Sequence, residues 1–295
     1  MDPGLPRACP ACGATRHAEW ALREGYTWLA CRACGSLFVE PAQLEAVPGL
    51  YDTHYAAPSP PSGATALALE RVVRAAEPFR STGRWLDIGF GDGALLSVAA
   101  AQGWSPHGTE QATSALQHAA ARGFVVASDP AADPRFPPHG FDVVSLVEVL
   151  EHVREPGRLM DQACALLRKG GLLYATTPNA LSLNRRLLGV GWSIFLAPEH
   201  VVIWTPAAIR RSLEERGLRV LRIQTHGLNP TEIRARLRKP APGRPATSRN
   251  EGAFALNEAF SRSPTRRWIK DRINDSLTLL RLGDHLKVYA SSASG

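Results

Sequence analysis

Trp85-Leu86-Asp87-Ile88-Gly89-Phe90-Gly91-Asp92-Gly93 decides how this chain folds. An apolar run meets an acidic residue, then three glycines at alternate positions, then a helical stretch from Ala94 to Gln102. Glycine permits a tight turn and lets a ligand approach the backbone closely. The helix that follows offers its first N–H groups to something electron-rich. Glu110, twenty-one residues after Gly89, closes a second apolar segment. A carboxylate there can accept both hydroxyls of a ribose. The spacing predicts a nucleoside site.

Two nucleoside ligands compete for that reading. Gly89, Gly91 and Ala94 also satisfy the G-x-G-x-x-G/A dinucleotide pattern, which alone is a weak signal. Asp87 argues against a pyrophosphate, because a carboxylate at the strand end repels it. The same carboxylate suits the ammonium group of S-adenosylmethionine. Asp87-x-Gly89-x-Gly91-x-Gly93 followed by Glu110 and Gln111 resembles the glycine motif and second-strand acid of class I S-adenosylmethionine-dependent methyltransferases. That resemblance implies cofactor binding by Asp87, Gly89, Gly91, Gly93, Glu110 and Gln111. It also implies contacts from Asp129 after the third strand, on the adenine amino group, and from Glu148 after the fourth.

From Trp85 onward, strand and helix patterns alternate, predicting a parallel sheet with crossover helices. Strands are expected at 84–88, 106–109, 124–127, 141–146, 171–176 and 218–224, with another near 286–290. The predicted class is α/β, a Rossmann-like, seven-stranded, mostly parallel sheet with an N-terminal zinc ribbon and a helical C-terminal extension. The boundaries expected are 1–45 for the ribbon and 46–80 for a linker and cofactor-covering helix. The methyltransferase core is placed at 81–230 and the extension with its closing strand at 231–295. The amphipathic stretch Ala64 to Phe79 follows a Pro/Ser-rich linker, Ala56 to Gly63, and Tyr51 and Tyr55 precede it.

Four of the five cysteines form two pairs, Cys9-Pro-Ala-Cys12 and Cys31-Arg-Ala-Cys34, each followed by glycine. Eighteen residues separate Cys12 from Cys31, a zinc-site spacing. Four thiolates give a closed tetrahedral site and hence a structural ion. Trp20, Leu22, Tyr26, Trp28 and Leu29 between the pairs read as two short strands. Arg7, Arg16, His17, Arg23 and Arg32 are interspersed with Glu19, Glu24 and Glu40, which is not the dense basic stripe of a nucleic-acid reader. The module resembles the N-terminal four-cysteine unit of bacterial sugar methyltransferases, implying a surface that covers the substrate.

The fourth strand ends in Glu148-Val-Leu-Glu151-His152, placing the three polar side chains on one face of a helical turn. They can hold a divalent ion, Mg2+ among the candidates, or support a base; capping with a packed His152 is the plainer role. Similar Glu-x-x-Glu-His segments occur in ubiquinone-type O-methyltransferases. The strand-four ending is not the Asn-Pro-Pro-Tyr of exocyclic-amine methyltransferases acting on nucleic acids. Arg168-Lys-Gly-Gly171 resembles the family's turn into the fifth strand, with Lys169 where proline is usual, and Asn179 follows as a candidate substrate contact or helix cap. After an insertion from Leu181 to Leu196 comes Glu199-His200. This resembles the Glu-His pair implicated in substrate deprotonation in zinc-containing sugar C-methyltransferases. An imidazole oriented by an acid is a suitable general base, so His200 with Glu199 is the first candidate and His152 the second.

A chain of 295 residues that is 44% hydrophobic can bury one large and one small core. No apolar stretch approaches a membrane span, and the N-terminus lacks an apolar signal region. A cytoplasmic protein is expected. The net charge of +7 reflects an arginine-rich composition or an anionic partner. Arg234, Arg236, Arg238, Arg266, Arg267 and Lys270 in the extension are solvated helix faces or receivers of a nucleotide-sugar diphosphate or acidic glycan. The combined reading is methyl transfer from S-adenosylmethionine to a hydroxyl or activated carbon of a small molecule, foremost a sugar or surface-glycan intermediate. The alternatives are O-methylation of a quinone-type or other aromatic metabolite, or RNA methylation with the ribbon as reader.

Overall fold

A computed structural model of the chain describes residues 8–44, 62–237 and 263–293. Tyr51, Tyr55, the linker residues 56–61, Arg7, Arg238 and, of the stretch 251–282 expected to form one or two amphipathic helices, residues 251–262 lie outside the described residues.

The chain opens with a hairpin, β1 (His17–Arg23) and β2 (Tyr26–Cys31). Its two-residue turn holds Glu24 and Gly25 at φ of 52° and 84°, the left-handed pair that matches strand twist in tight hairpins. These are the two short strands expected between the cysteine pairs. β3 (Leu37–Val39) then pairs antiparallel with β2. Its free edge is taken by β9 (Val202–Ile203), more than 160 residues later.

Ser62 caps α1 (Gly63–Ala76) by accepting the Thr65 N–H, and a 3-10 turn containing Pro78 carries the chain to Phe79. Strands and helices then alternate. They are β4 (Arg84–Ile88), α2 (Ala94–Ala101), β5 (Ser105–Thr109), α3 (Thr113–Ala121), β6 (Val125–Ala127), β7 (Phe141–Val147), α4 (Pro156–Leu166) and β8 (Leu167–Pro178). After α5 (Leu183–Leu188) and β9 come α6 (Pro206–Glu214), β10 (Leu218–His226) and α7 (Pro230–Leu237). The chain closes with α8 (Pro264–Leu280) and β11 (His285–Ser292).

The large sheet has seven strands in the order β10-β11-β8-β7-β4-β5-β6. β11 runs antiparallel to both neighbours, and the pairs from β8 to β6 are parallel. This is the expected Rossmann-like α/β class, with the cysteine module in front and helices in the extension. Both faces of the sheet are covered, so β4 buries Trp85 toward α1 and α2 while Leu86 and Ile88 join the core on the other face. Strand order reverses between β4 and β7, and ligands in such sheets sit in the crevice at that reversal.

Two elements differ from expectation. The fifth strand begins at Leu167 rather than 171, because Arg168 is drawn into an ion pair with buried Asp142 and its carbonyl accepts the Ser292 hydroxyl. The insertion forms a short helix and a 3-10 turn that place Trp192 and Phe195 against the cysteine module. Phe195 lies 4.8 Å from Trp28 and 4.9 Å from Trp20, ring centre to ring centre.

Candidate active site

At the reversal point a cavity of about 800 Å3 is bounded by the glycine turn, Glu110, Gln111, Glu148, His152 and Glu199. Gly89 is left-handed at φ 69°, and a Cβ there would lie 2.6 Å from Val149 Cγ2. Only glycine lets the turn lie so close to the loop after β7.

Asp87 is buried at the end of β4. The Trp85 indole N–H donates to Ser145 Oγ at 2.9 Å, and that hydroxyl donates to Asp87 Oδ1 at 2.6 Å. Burial lifts the Asp87 carboxyl to about 7 against the lowering effect of the Ser145 bond, and Glu110 and Asp92 add to the rise. Glu110 is held by three backbone N–H groups, from Gly91 at 3.0 Å, Gln111 at 2.6 Å and Ala112 at 3.2 Å. Its carboxylate therefore faces the glycine turn in one orientation. Gln111 lines the cavity with its amide donating to the Ser128 carbonyl at 3.1 Å. Gly93 starts α2 as a left-handed cap, outside the cavity lining. Asp129 is exposed and accepts the Ala131 N–H at 2.9 Å, so its side chain is turned into its own 3-10 turn.

Glu148, Glu151 and His152 do not act as one face. Glu148 occupies a left-handed backbone position at φ 52°, and its carboxylate meets His285 Nδ1 of β11 at 3.1 Å. Burial raises the Glu148 carboxyl, but the His285 imidazole overrides this and holds it below the usual range. Glu151 is fully buried and accepts the Thr177 hydroxyl at 2.9 Å. Burial and the charge of Glu148 push its carboxyl well up.

His152 and His200 meet edge to face, 4.6 Å between ring centres. His152 Nδ1 donates to the Glu199 carbonyl at 2.9 Å and His200 Nδ1 to the Ile194 carbonyl at 2.6 Å. Each bond fixes the tautomer with Nε2 as the acceptor nitrogen. Burial, reinforced by His152, lowers His200 to about 4. His152 and Glu199 border the cavity, whereas His200 stands behind His152. A ligand atom from each of Glu151, His152 and His200 falls within 4.8 Å of the others.

The four cysteines of the two pairs also converge within 4.8 Å and form no disulfide. Sγ of Cys9 and Cys34 are 3.8 Å apart, and those of Cys12 and Cys31 3.6 Å. Gly13 and Gly35, both left-handed, donate back to the carbonyls of Cys9 and Cys31.

Several participants escaped sequence reading. Ser145 carried a weak signal as a polar residue within an apolar strand; Thr177 and His285 carried none, because their partners lie far away in sequence. Asn179, a candidate substrate contact or cap, is instead fully buried and donates to the carbonyls of Arg281 and Gly283. α5 is capped by Ser182.

A methyltransferase-domain family model matches residues 62–223. Among curated relatives, the ubiquinone biosynthesis O-methyltransferase of Caulobacter vibrioides is 32% identical over 128 residues, 41% of this chain and 48% of the relative. The protein of the same name from Parvibaculum lavamentivorans is 34% identical over 139 residues, 45% of this chain and 52% of the relative. The chain thus spans about half the length of these relatives. A SAM-dependent methyltransferase from Archaeoglobus fulgidus superposes with a TM-score of 0.51 at 19% identity, covering 77% of this chain and 94% of its own. Its fold is the one described here. Among the described residues no helix is long and apolar enough to cross a membrane.

Proposed function

Since the chain belongs to the methyltransferase-domain family, as a class I S-adenosylmethionine-dependent methyltransferase, we propose that it methylates a hydroxyl oxygen of a small quinol- or phenol-type acceptor. The names of the curated relatives favour this acceptor over the sugar expected from the cysteine module. The observation that carries the reading is the meeting of two cavities at Glu148. The first is the 800 Å3 crevice described above; the second, about 560 Å3, shares Leu69, Val147 and Glu148 with it. One suits the cofactor and the other the acceptor, each within the usual size of ligand sites.

The cofactor fits the residues present. Asp87 offers a buried negative charge to an ammonium group, and Glu110, already aimed by three N–H groups, offers two oxygens to ribose hydroxyls. When bound, S-adenosylmethionine supplies an electrophilic methyl on a good leaving group. The chain aligns the acceptor oxygen with that methyl and takes the hydroxyl proton as the C–O bond forms. His152 is the candidate for the proton: it borders the cofactor crevice beyond Glu148, with its Nδ1 tied to the Glu199 carbonyl and its Nε2 3.9 Å from Glu151 Oε1. His200, the first choice from sequence, is a positioning residue against the His152 ring.

The cysteine cluster fits zinc. Zn–S bonds of about 2.3 Å in a tetrahedron place sulfurs about 3.8 Å apart, close to the measured 3.6 and 3.8 Å. The ion would hold the two turns together and take no part in methyl transfer. Mg2+ fits less well. It demands oxygen ligands in octahedral geometry, whereas the converging set is two imidazoles and a single carboxyl, with Glu148 committed to His285.

The test is transfer of labelled methyl from S-adenosylmethionine to catechol and, separately, to a nucleotide sugar. A methyl ether on catechol is the expected product. Label found only on the sugar, or on a carbon, refutes the reading. His152→Gln should lower kcat by about 10²-fold or more while cofactor Kd stays near wild type. His200→Ala should retain partial turnover.

A further inference from the structure

The second cavity has an unusual electrostatic composition for an apolar pocket. Its walls are Leu69 and Val72 of α1, Val147 of β7, Tyr174 of β8, and Ile273 and Leu277 of α8. Into these walls are set two lysines, Lys270 from α8 and Lys287 from β11. Lys270, Ile273, Asn274 and Leu277 recur at helical spacing, so one face of α8 lines the cavity. On β11, His285 and Lys287 are two apart and share a face of the sheet. Lys287 therefore stands about 7 Å along the strand from the His285–Glu148 pair.

Of the two acids lining this cavity, Glu148 is paired, whereas Asp284 is bonded through Oδ2 and its buried Oδ1 has no hydrogen-bond partner among the described residues. Glu148 pairs with His285 at 3.1 Å. Asp284 accepts from Asn184 Nδ2 at 2.9 Å and from the Asn229 N–H at 3.0 Å. Lys287 makes no ion pair among the described residues. Burial lowers both lysines, and for Lys287 the positive charges of Lys270 and Arg71 lower it further. Two ammonium groups that repel each other in a half-buried apolar pocket are stabilised by an anion.

We propose that the acceptor carries an anionic oxygen group, carboxylate or phosphate, seated between Lys287 and Lys270, with its apolar body against Leu69, Val72 and Leu277. This rests on the second cavity being the acceptor site. The anionic end lies at the two lysines, and the nucleophilic hydroxyl points back to the border at Glu148. Charge at the far end of the acceptor fixes which hydroxyl reaches that border, so the lysines set specificity without touching the reacting atoms.

The test is binding, read apart from turnover. Benzoate, phenyl phosphate and phenol are titrated into full-length protein saturated with S-adenosylhomocysteine. One or both anionic probes should bind about tenfold tighter than phenol, with the preference falling as salt rises. The tighter of benzoate and phenyl phosphate identifies the anion. Lys287→Met and Lys270→Met should each erase most of the preference, Lys287→Arg should keep it, and S-adenosylhomocysteine affinity should not move. Equal binding of the three probes, no binding of any of them, or a preference that survives in Lys287→Met overturns the proposal. Because catechol methylation is measured separately, its failure would sink the O-methyltransferase reading while leaving the anion preference intact.

Discussion

Asp87 is a carboxyl group whose charge depends on what lies beside it. Buried at the strand end with its proton held until about pH 7, it gains from an adjacent cation and is penalised without one. A ligand ammonium favours the ionised form, so below about pH 7 binding must first release the Asp87 proton. Affinity for S-adenosylhomocysteine should therefore fall by up to about tenfold per pH unit below 7 and level off above it. Calorimetry from pH 5.5 to 8.5 measures this, and Asp87→Asn should bind more weakly with a flattened profile. A wild-type profile as flat as that of the variant contradicts the role given to Asp87. Glu110 differs in kind: three backbone donors orient it, so Glu110→Ala should weaken binding at every pH, by about 1.5–3 kcal/mol in the same titration.

The β3–β9 pairing is two residues long and joins parts of the chain more than 160 residues apart. Val39 N–H donates to the Val201 carbonyl at 2.9 Å, and Val201 N–H donates to the Glu151 carbonyl at 2.7 Å. The cysteine module is thus bonded through one strand to the loop that carries Glu151 and His152. Thr205 adds a second tie, accepting the Ala208 N–H as the cap of α6 and donating its hydroxyl to the Cys34 carbonyl at 2.8 Å. Thr205→Val should cost about 1–2 kcal/mol in thermal unfolding and speed the release of metal to a chromogenic chelator. With zinc at the four cysteines as proposed, its removal should itself destabilise by on the order of 3 kcal/mol or more. A Thr205→Val protein that releases metal at the wild-type rate would show that the junction does not support the cluster. None of this was legible beforehand, because a two-residue strand has no period to read. The parallel strands were legible for the opposite reason. Each carries its own apolar run and turn, and Asp87 and Glu110 sit at fixed offsets from the glycines. Residues whose partners come from another part of the chain, such as His285 and Lys287, leave no such local trace.

At the scale of the whole molecule, the last strand is the element that completes both the sheet and the site. β11 enters between β8 and β10, antiparallel to each, and carries His285 to Glu148, 137 positions away. Asn179 secures its approach through the Arg281 and Gly283 carbonyls. The pair makes stability depend on pH in both directions. Glu148, held below its ordinary 4.5, contributes above that value and loses its contribution as acid protonates it. His285 is raised above its ordinary 6.5 by Glu148, against the lowering effect of burial. Its share is present below 6.5 and disappears as rising pH passes its folded value. The stability difference between wild type and His285→Gln should therefore be largest between about pH 5 and 6.5 and shrink on either side. Both side chains are partly open to solvent, so the maximum should be about 1 kcal/mol or less. Urea unfolding at pH 4, 6 and 9 checks this. A difference that stays constant across the three would mean that β11 is held by packing and backbone pairing alone, with the Glu148–His285 contact contributing nothing to the fold.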